Sequence, residues 1–278
     1  MDPIPMNVKT NTQSIKSLVV AALLLIGITA QAQTINPMPK VSDDWRFSGA
    51  ISAWAPASWT TTSVGRLTKS SETSISDNIS SAGSMAMLTG EAHKGNWGLM
   101  ADLVYWQMGG NGAGYIPHTR DSVYAGANGK MTQTMLTVAG TYTAYNSPAL
   151  YLDGLAGARY ITSTTTINSS DEIFVDGSVV HSSSASRSFT NQTTDPVIGF
   201  KGRARISNTS WFVPFYADAG KGPGGNNTTW QTSLGVGNAY SWGDITLAYR
   251  AMYFDLKSQM GVTKYLNAGP QLSATMNF

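Results

Sequence analysis

Apolar and polar residues alternate at period two along most of this chain, and the charges keep to one parity. In residues 97–107, Leu99, Ala101, Leu103 and Tyr105 fall on one face, with Met100, Asp102 and Val104 on the other. In residues 149–161, Leu150, Leu152, Ala156, Ala158 and Tyr160 oppose Tyr151, Asp153, Gly157 and Arg159. Further on, Asp195, Lys201, Arg203 and Arg205 oppose Ile198, Phe200, Ala204 and Ile206, and Thr246 and Arg250 oppose Ile245, Leu247, Tyr249 and Tyr253. Successive side chains of a strand point to opposite faces, so this pattern describes strands with one polar and one apolar surface. No stretch offers the 18 or more consecutive apolar residues of a membrane-spanning helix. Two arrangements remain: a half-buried sheet in water, or a barrel whose apolar face meets lipid.

The connections discriminate between them. Ten strands are predicted, near 45–54, 84–93, 96–107, 130–145, 149–167, 190–206, 211–220, 228–240, 244–256 and 265–278. Short turns at 94–95, 146–148, 207–210 and 241–243 alternate with longer links at 55–83, 108–129, 168–189, 221–227 and 257–264. An even strand count, short turns at one end and long loops at the other form the pattern of outer-membrane barrels, whereas a soluble sandwich has no reason to segregate its loops this way. In lipid only a closed barrel satisfies every backbone N–H and C=O of a sheet. The fold class is therefore all-β, an antiparallel transmembrane β-barrel of about ten strands, with eight or twelve as alternatives. Trp45, Trp97, Tyr105, Tyr142, Tyr160, Trp211, Trp230, Tyr240 and Tyr253 sit near strand ends on the apolar parity, where interfacial girdles belong.

At the start, Lys9 and Lys16 precede an apolar run at 18–28, and Ala30-Gln31-Ala32 follows as a small-x-small site. This order reads as a secretory signal peptide over residues 1–32, ahead of a single barrel domain over 33–278. Its removal takes away Lys9, Lys16 and Asp2 and changes the formal charge from +2 to +1. The 278 residues are only 12% charged and include no Cys and three His, which leaves no disulfide, thiol nucleophile or cysteine-based zinc site. No cofactor or metal is indicated. So balanced a charge carries no nucleic-acid footprint.

The last strand ends in Phe278, with Leu266, Ala268, Leu272, Ala274 and Met276 alternating before it. This resembles the C-terminal signal of bacterial outer-membrane barrels, and the resemblance implies that Leu272, Met276 and Phe278 are read by the barrel-assembly machinery. The segments TGEAHKGNWGLMADLVY (89–105), YLDGLAGARY (151–160), TDPVIGFKGRARI (194–206) and FYADAGKGPGGNNTTWQTSLGVGNAY (215–240) resemble a broad group of uncharacterised Gram-negative outer-membrane barrel proteins. That resemblance implies a place in the cell envelope, in contact with outer-membrane lipid and lipopolysaccharide, and no particular activity.

On such a barrel one parity directs Arg46, Glu91, Asp102, Asp153, Arg159, Asp195, Lys201, Arg203, Arg205, Asp218, Asp244, Arg250 and Asp255 into the lumen. Six basic and seven acidic side chains in a narrow interior pair and plug, or else line a polar conduit. Asp176-Gly177, between β-prone runs, favours a two-residue hairpin that carries its strands beyond the membrane as a ribbon. The Gly-rich stretches at 109–114 and 220–225 lack the ending of a phosphate loop and read as flexible loops. Residues 55–83 are expected to fold inward as a plug or to carry a short helix near 76–86. Ten-stranded outer-membrane proteases use paired acids and an Asp–His couple at the outer rim. Here His181, Asp195, Asp218 and Asp255 are the only candidates, without an Asp-x-Asp or Asp-x-His. His181 and Ser183 have the spacing of a lipid-A deacylase pair, inside a Ser-rich stretch where such a match is cheap. The expected function is a non-enzymatic structural or surface-interaction barrel; a narrow porin-like channel for small solutes is the second reading and a hydrolase the third.

Overall fold

The computed structural model describes residues 35–278 except 65–66, 118–120, 176–177, 223–226 and 259–260. The expected signal segment, His118 and the Asp176-Gly177 turn lie outside the described residues. Among the described residues twelve strands and a helix follow in order: β1 (Arg46–Trp54), β2 (Ala57–Val64), β3 (Leu67–Thr73), α1 (Ile75–Ser81), β4 (Ala82–Lys94), β5 (Trp97–Pro117), β6 (Asp121–Asn146), β7 (Leu150–Val175), β8 (Ser178–Arg205), β9 (Trp211–Lys221), β10 (Thr228–Tyr240), β11 (Gly243–Ser258) and β12 (Gly261–Asn277). β1 and β4 to β12 pair antiparallel in chain order, and β1 pairs back onto β12 from Ser48↔Asn277 to Trp54↔Gln271. The result is a closed barrel of ten strands.

The alternation seen in the sequence sets which way each strand faces. Large apolar side chains stand outward and bare, including Ile51, Leu99, Ile198, Leu234, Leu247 and Tyr249, with Ile198 70% exposed. A band of this kind in a soluble monomer would far exceed the usual apolar patch; in a bilayer it is the surface the barrel needs. The eleven residues of β9 span about 36 Å, which at a tilt near 40° gives about 28 Å of height, close to the hydrocarbon thickness. The girdle aromatics all stand outward or half-buried, and several meet in pairs, Trp97 edge-to-face with Tyr142 at 4.9 Å and Trp230 stacked on Tyr253 at 5.7 Å.

Two connections differ from the sequence reading, while the third long link, 168–189, extends its strands as the ribbon expected. Within 55–83, β2 and β3 pair antiparallel, β2 adds to the upper half of β12 (Ala57↔Ala268 to Ser63↔Val262), and α1 follows. That helix is shorter than the 76–86 expected, because β4 starts at Ala82. Ser74 caps it, accepting from the Asp77 backbone N–H at 3.2 Å and donating to the Asp77 carboxylate at 2.8 Å. The Gly-rich 109–114 is not a loop but strand: β5 pairs with β6 residue by residue out to Pro117↔Ser122. Likewise β6 pairs with β7 to Asp121↔Val175, and β7 with β8 to Val175↔Ser178. The described residues of the 108–129 and 168–189 links are therefore the far end of a four-stranded flap that stands above the barrel at the long-hairpin end. Backbone pairing with long partner strands outweighs the low β-propensity of Gly and Ser here.

Candidate functional site: a layered lumen

The inward parity fills the barrel in three layers, counted from the short-turn end. In the first, Lys201 of β8 reaches across the lumen to Glu91 of β4 and lies 3.7 Å from Asp153 of β7. Glu91 also meets His93 Nε2 at 3.2 Å, and Thr143 donates to Asp153 at 2.8 Å. Arg203 donates to Asp244 at 2.9 Å and stacks its guanidinium over Phe212 at 4.4 Å. Residues 35–42 fold into this mouth. Met38 is buried against Tyr151, Phe212 and Ala239, and the Pro37 carbonyl accepts from Arg203 at 3.0 Å.

In the second layer Arg250 of β11 donates to Asp102 of β5 at 2.6 Å and to Gln231 of β10 at 2.9 Å. Thr89 completes Asp102 at 2.9 Å. Arg159 of β7 donates to Asp218 of β9, to Thr137 at 3.1 Å and to Thr229 at 3.3 Å, and Tyr216 donates to the same carboxylate. Arg159 and Asp218 have side chains wholly out of solvent. A desolvated charge costs several kcal/mol unless a partner and further hydrogen bonds satisfy it; the Asp102 network supplies them at both carboxylate oxygens, and the Asp218 network at Oδ2 alone, its Oδ1 having no hydrogen-bond partner.

The third layer is apolar. Trp54, Met87, Val104, Trp106, Met135, Ile161, Met252, Phe254 and Tyr265 come from β1, β4, β5, β6, β7, β11 and β12, and all are buried inside the barrel. Phe254 and Tyr265 stack at 4.7 Å, and Trp54 lies 5.8 Å from Trp106. The guanidinium of Arg250 sits 5.9 Å from the Trp54 ring, tying this layer to the one below. Between the apolar layer and residues 35–42 lies a cavity of about 510 Å³, and a second of about 140 Å³ borders it among Asp102, Lys201, Tyr216 and Arg250.

Of the thirteen charges expected inside, Glu91, Lys201, Asp153, Arg203, Asp244, Asp102, Arg250, Arg159 and Asp218 thus meet in these networks. Asp195 is fully buried, accepting from Thr193 at 2.8 Å with its other oxygen unpartnered. Three sit at the rims. Arg46 donates to the Gly95 carbonyl at 3.3 Å, Arg205 to the Thr209 carbonyl at 2.8 Å, and Asp255 lies 3.5 Å from Lys264 of the adjacent strand. Leu272, Met276 and Phe278 face outward and are exposed, and the Phe278 backbone exchanges hydrogen bonds with Phe47. The apolar layer was missed by a reading that followed charges. Its signal lay in parity: Trp54, Val104, Trp106 and Met252 share the inward parity of Arg46, Asp102 and Arg250.

The candidates for hydrolysis are far apart. His181 is exposed on the flap, fourteen residues along β8 from Asp195, or about 45 Å of strand. His181 and Ser183 share a face of that strand that is open to solvent.

No protein-family model and no curated protein matches the chain. Among solved structures, the outer-membrane protease OmpT of Escherichia coli aligns over 88% of this chain and 100% of that chain, at 11% identity and a TM-score of 0.51. Ail, the attachment invasion locus protein of Yersinia pestis, aligns over 83% of this chain and 99% of that chain, at 10% identity and a TM-score of 0.32. The translocator domain of the autotransporter NalP from Neisseria meningitidis aligns over 95% of each chain, at 10% identity and a TM-score of 0.29. The likeness to OmpT is one of fold: this chain has the architecture of a bacterial outer-membrane β-barrel. Identity at that level transfers no chemistry.

Proposed function

We propose that this chain is an integral outer-membrane barrel with a non-enzymatic structural and surface-interaction role, closed to solutes and presenting its flap to the outside. The apolar layer carries the reading. Nine side chains from seven of the ten barrel strands pack inside the lumen, their few polar atoms including the Tyr265 hydroxyl held by Gln133 and Trp54 Nε1 donating to the Gly269 carbonyl at 3.2 Å, and ion pairs below them lock opposite walls together. Conduction needs a polar path or a constriction that can wet; packed Trp, Met and Phe supply neither. Export through the signal segment, assembly through Phe278 and contact with lipopolysaccharide belong to the same proposal. The separation of His181 from Asp195 speaks against a protease-like couple at the rim.

The porin-like reading rests on the cavity of about 510 Å³ and its charged lining, Arg46, Glu91, Lys201, Arg203 and Asp244. A swelling assay separates the two. The refolded chain, its folded state verified by heat-modifiable gel mobility, is reconstituted into vesicles and challenged with small sugars and amino acids. Swelling no faster than that of protein-free vesicles is expected; solute entry at porin-like rates would select the channel.

A further inference from the structure

Residues 178–192 of β8 hydrogen-bond to β7 along one edge, and along the other no described residue pairs with them, since pairing to β9 begins at Val197↔Gly220. The Asn227 side chain reaches Thr193 at 2.7 Å, just below this stretch. Fifteen residues of strand therefore present a row of backbone N–H and C=O groups to open solvent. Nearly every side chain of the stretch is exposed on both faces of the flap.

Exposed edges are normally blunted by Lys, Pro, bulges or inward charges. This one has no Pro, Gly or Lys, one bulge near Val180, and a single full charge, Arg187. Its centre, Ser182-Ser183-Ser184-Ala185-Ser186, is built of small residues that let another backbone come close. The ligand such an edge recognises is a polypeptide strand.

We propose that the occupant is the same edge of a second copy, joined antiparallel about a two-fold axis and presented by a facing membrane. The sequence is compatible with itself in this arrangement. A two-fold centred anywhere in residues 183–186 sets Arg187 opposite a residue in 179–185, never opposite its own copy, and brings Ser and Ala together at the axis. Membrane geometry fixes the rest. Two copies in one bilayer both point outward, so a two-fold along the membrane normal runs their β8 strands in the same direction. That rotation also turns side chains at one level to opposite faces, which a parallel pair does not allow. An antiparallel pair needs the axis across the strands, and this places the copies in opposing membranes. The flap extends about 60 Å of strand beyond the last β8–β9 pair, so contact falls well outside the bilayer. The proposal rests on the surface-interaction reading and names its partner.

The test uses the full mature chain refolded into phosphatidylcholine vesicles, one population labelled with a fluorescent donor and one with an acceptor. Energy transfer on mixing is expected. Ser183→Lys with Ala185→Lys sets lysines opposite one another across the pair and lowers tethering about tenfold or more, with heat-modifiable mobility unchanged. Because the chain has no Cys, single-Cys variants at 182–186 report the register through disulfide dimers formed only between vesicles. Vesicles that stay dispersed, or tethering indifferent to the lysines, would overturn the proposal. Tethering to protein-free vesicles would make lipid the occupant, overturning self-pairing while leaving a surface role in place. Solute permeation would instead remove the closed-barrel reading, an outcome the tethering assay does not touch.

Discussion

Single residues in this lumen matter through their partners. Asp102 and Arg250 are nearly sealed from solvent and bonded at 2.6 Å, so truncating either one strands the other as a buried, uncompensated charge. Arg250→Ala is expected to cost about 3–5 kcal/mol, read as a lower urea midpoint for the loss of the folded gel form. Replacing both with apolar residues of similar volume removes the desolvation penalty with the attraction. The double variant Asp102→Leu/Arg250→Met should therefore unfold within about 1 kcal/mol of the parent or above it. A double variant less stable than Arg250→Ala would show that the pair acts through something other than charge compensation. These side chains were legible beforehand because parity along each strand says which residues share the interior. Which carboxylate meets which cation was not, since partners such as Glu91 and Lys201 stand on strands at opposite walls and the sequence does not fix the stagger of a barrel.

At the scale of the element, tight turns and long hairpins behave differently. The β4–β5 connection has two residues, and Gly95 takes φ +57° while Lys94 and Trp97 pair across it. A Gly at the first central position is the mark of a type II′ hairpin. Gly95→Ala places a Cβ in the left-handed region and should lower stability by about 1–2 kcal/mol in the same urea assay. A neutral result would mean that the turn relaxes to another form. The flap should be dispensable to the barrel beneath it. Deleting 165–189 and joining Thr164 to Thr190, already paired in the ladder, through an Asn-Gly turn should preserve the heat-modifiable form and its midpoint, because residues 178–192 carry no described contact to the barrel wall. Loss of the folded form would show that the flap supports the barrel. The strands inside the bilayer were readable to within a few residues, for their alternation is imposed by lipid on one side and lumen on the other. The flap was legible only in part: the Asp-Gly pair pointed to the β7–β8 ribbon, but the Gly-rich 109–114 read as a loop although its backbone pairs throughout, because both faces of the flap meet solvent and nothing there selects an apolar parity.

For the whole molecule, closure of the lumen is the property on which function turns. On the proposed reading two barriers stand in series, residues 35–42 around Met38, which narrow the short-turn mouth, and the apolar layer around Trp54 and Trp106 above it. Removing residues 35–42 widens the mouth of the partly open cavity of about 510 Å³ and leaves the upper layer intact, so the truncated barrel should be as impermeable as the full chain. Vesicle swelling checks this, and fast solute entry after truncation would assign the barrier to the lower seal. The sequence indicated that the interior was crowded with charges of both signs; that an uncharged layer stands above them follows only from seeing the Trp, Met, Phe, Val, Ile and Tyr side chains of seven strands cluster together.

Single-channel conductance of the refolded mature chain in a planar bilayer tests the closed barrel most directly. The account predicts a silent membrane at all moderate voltages from protein whose gel mobility proves it folded. Reproducible conductance steps, altered in size by Asp102→Ala or Arg250→Ala, would contradict it and make the charged layers the lining of a pore.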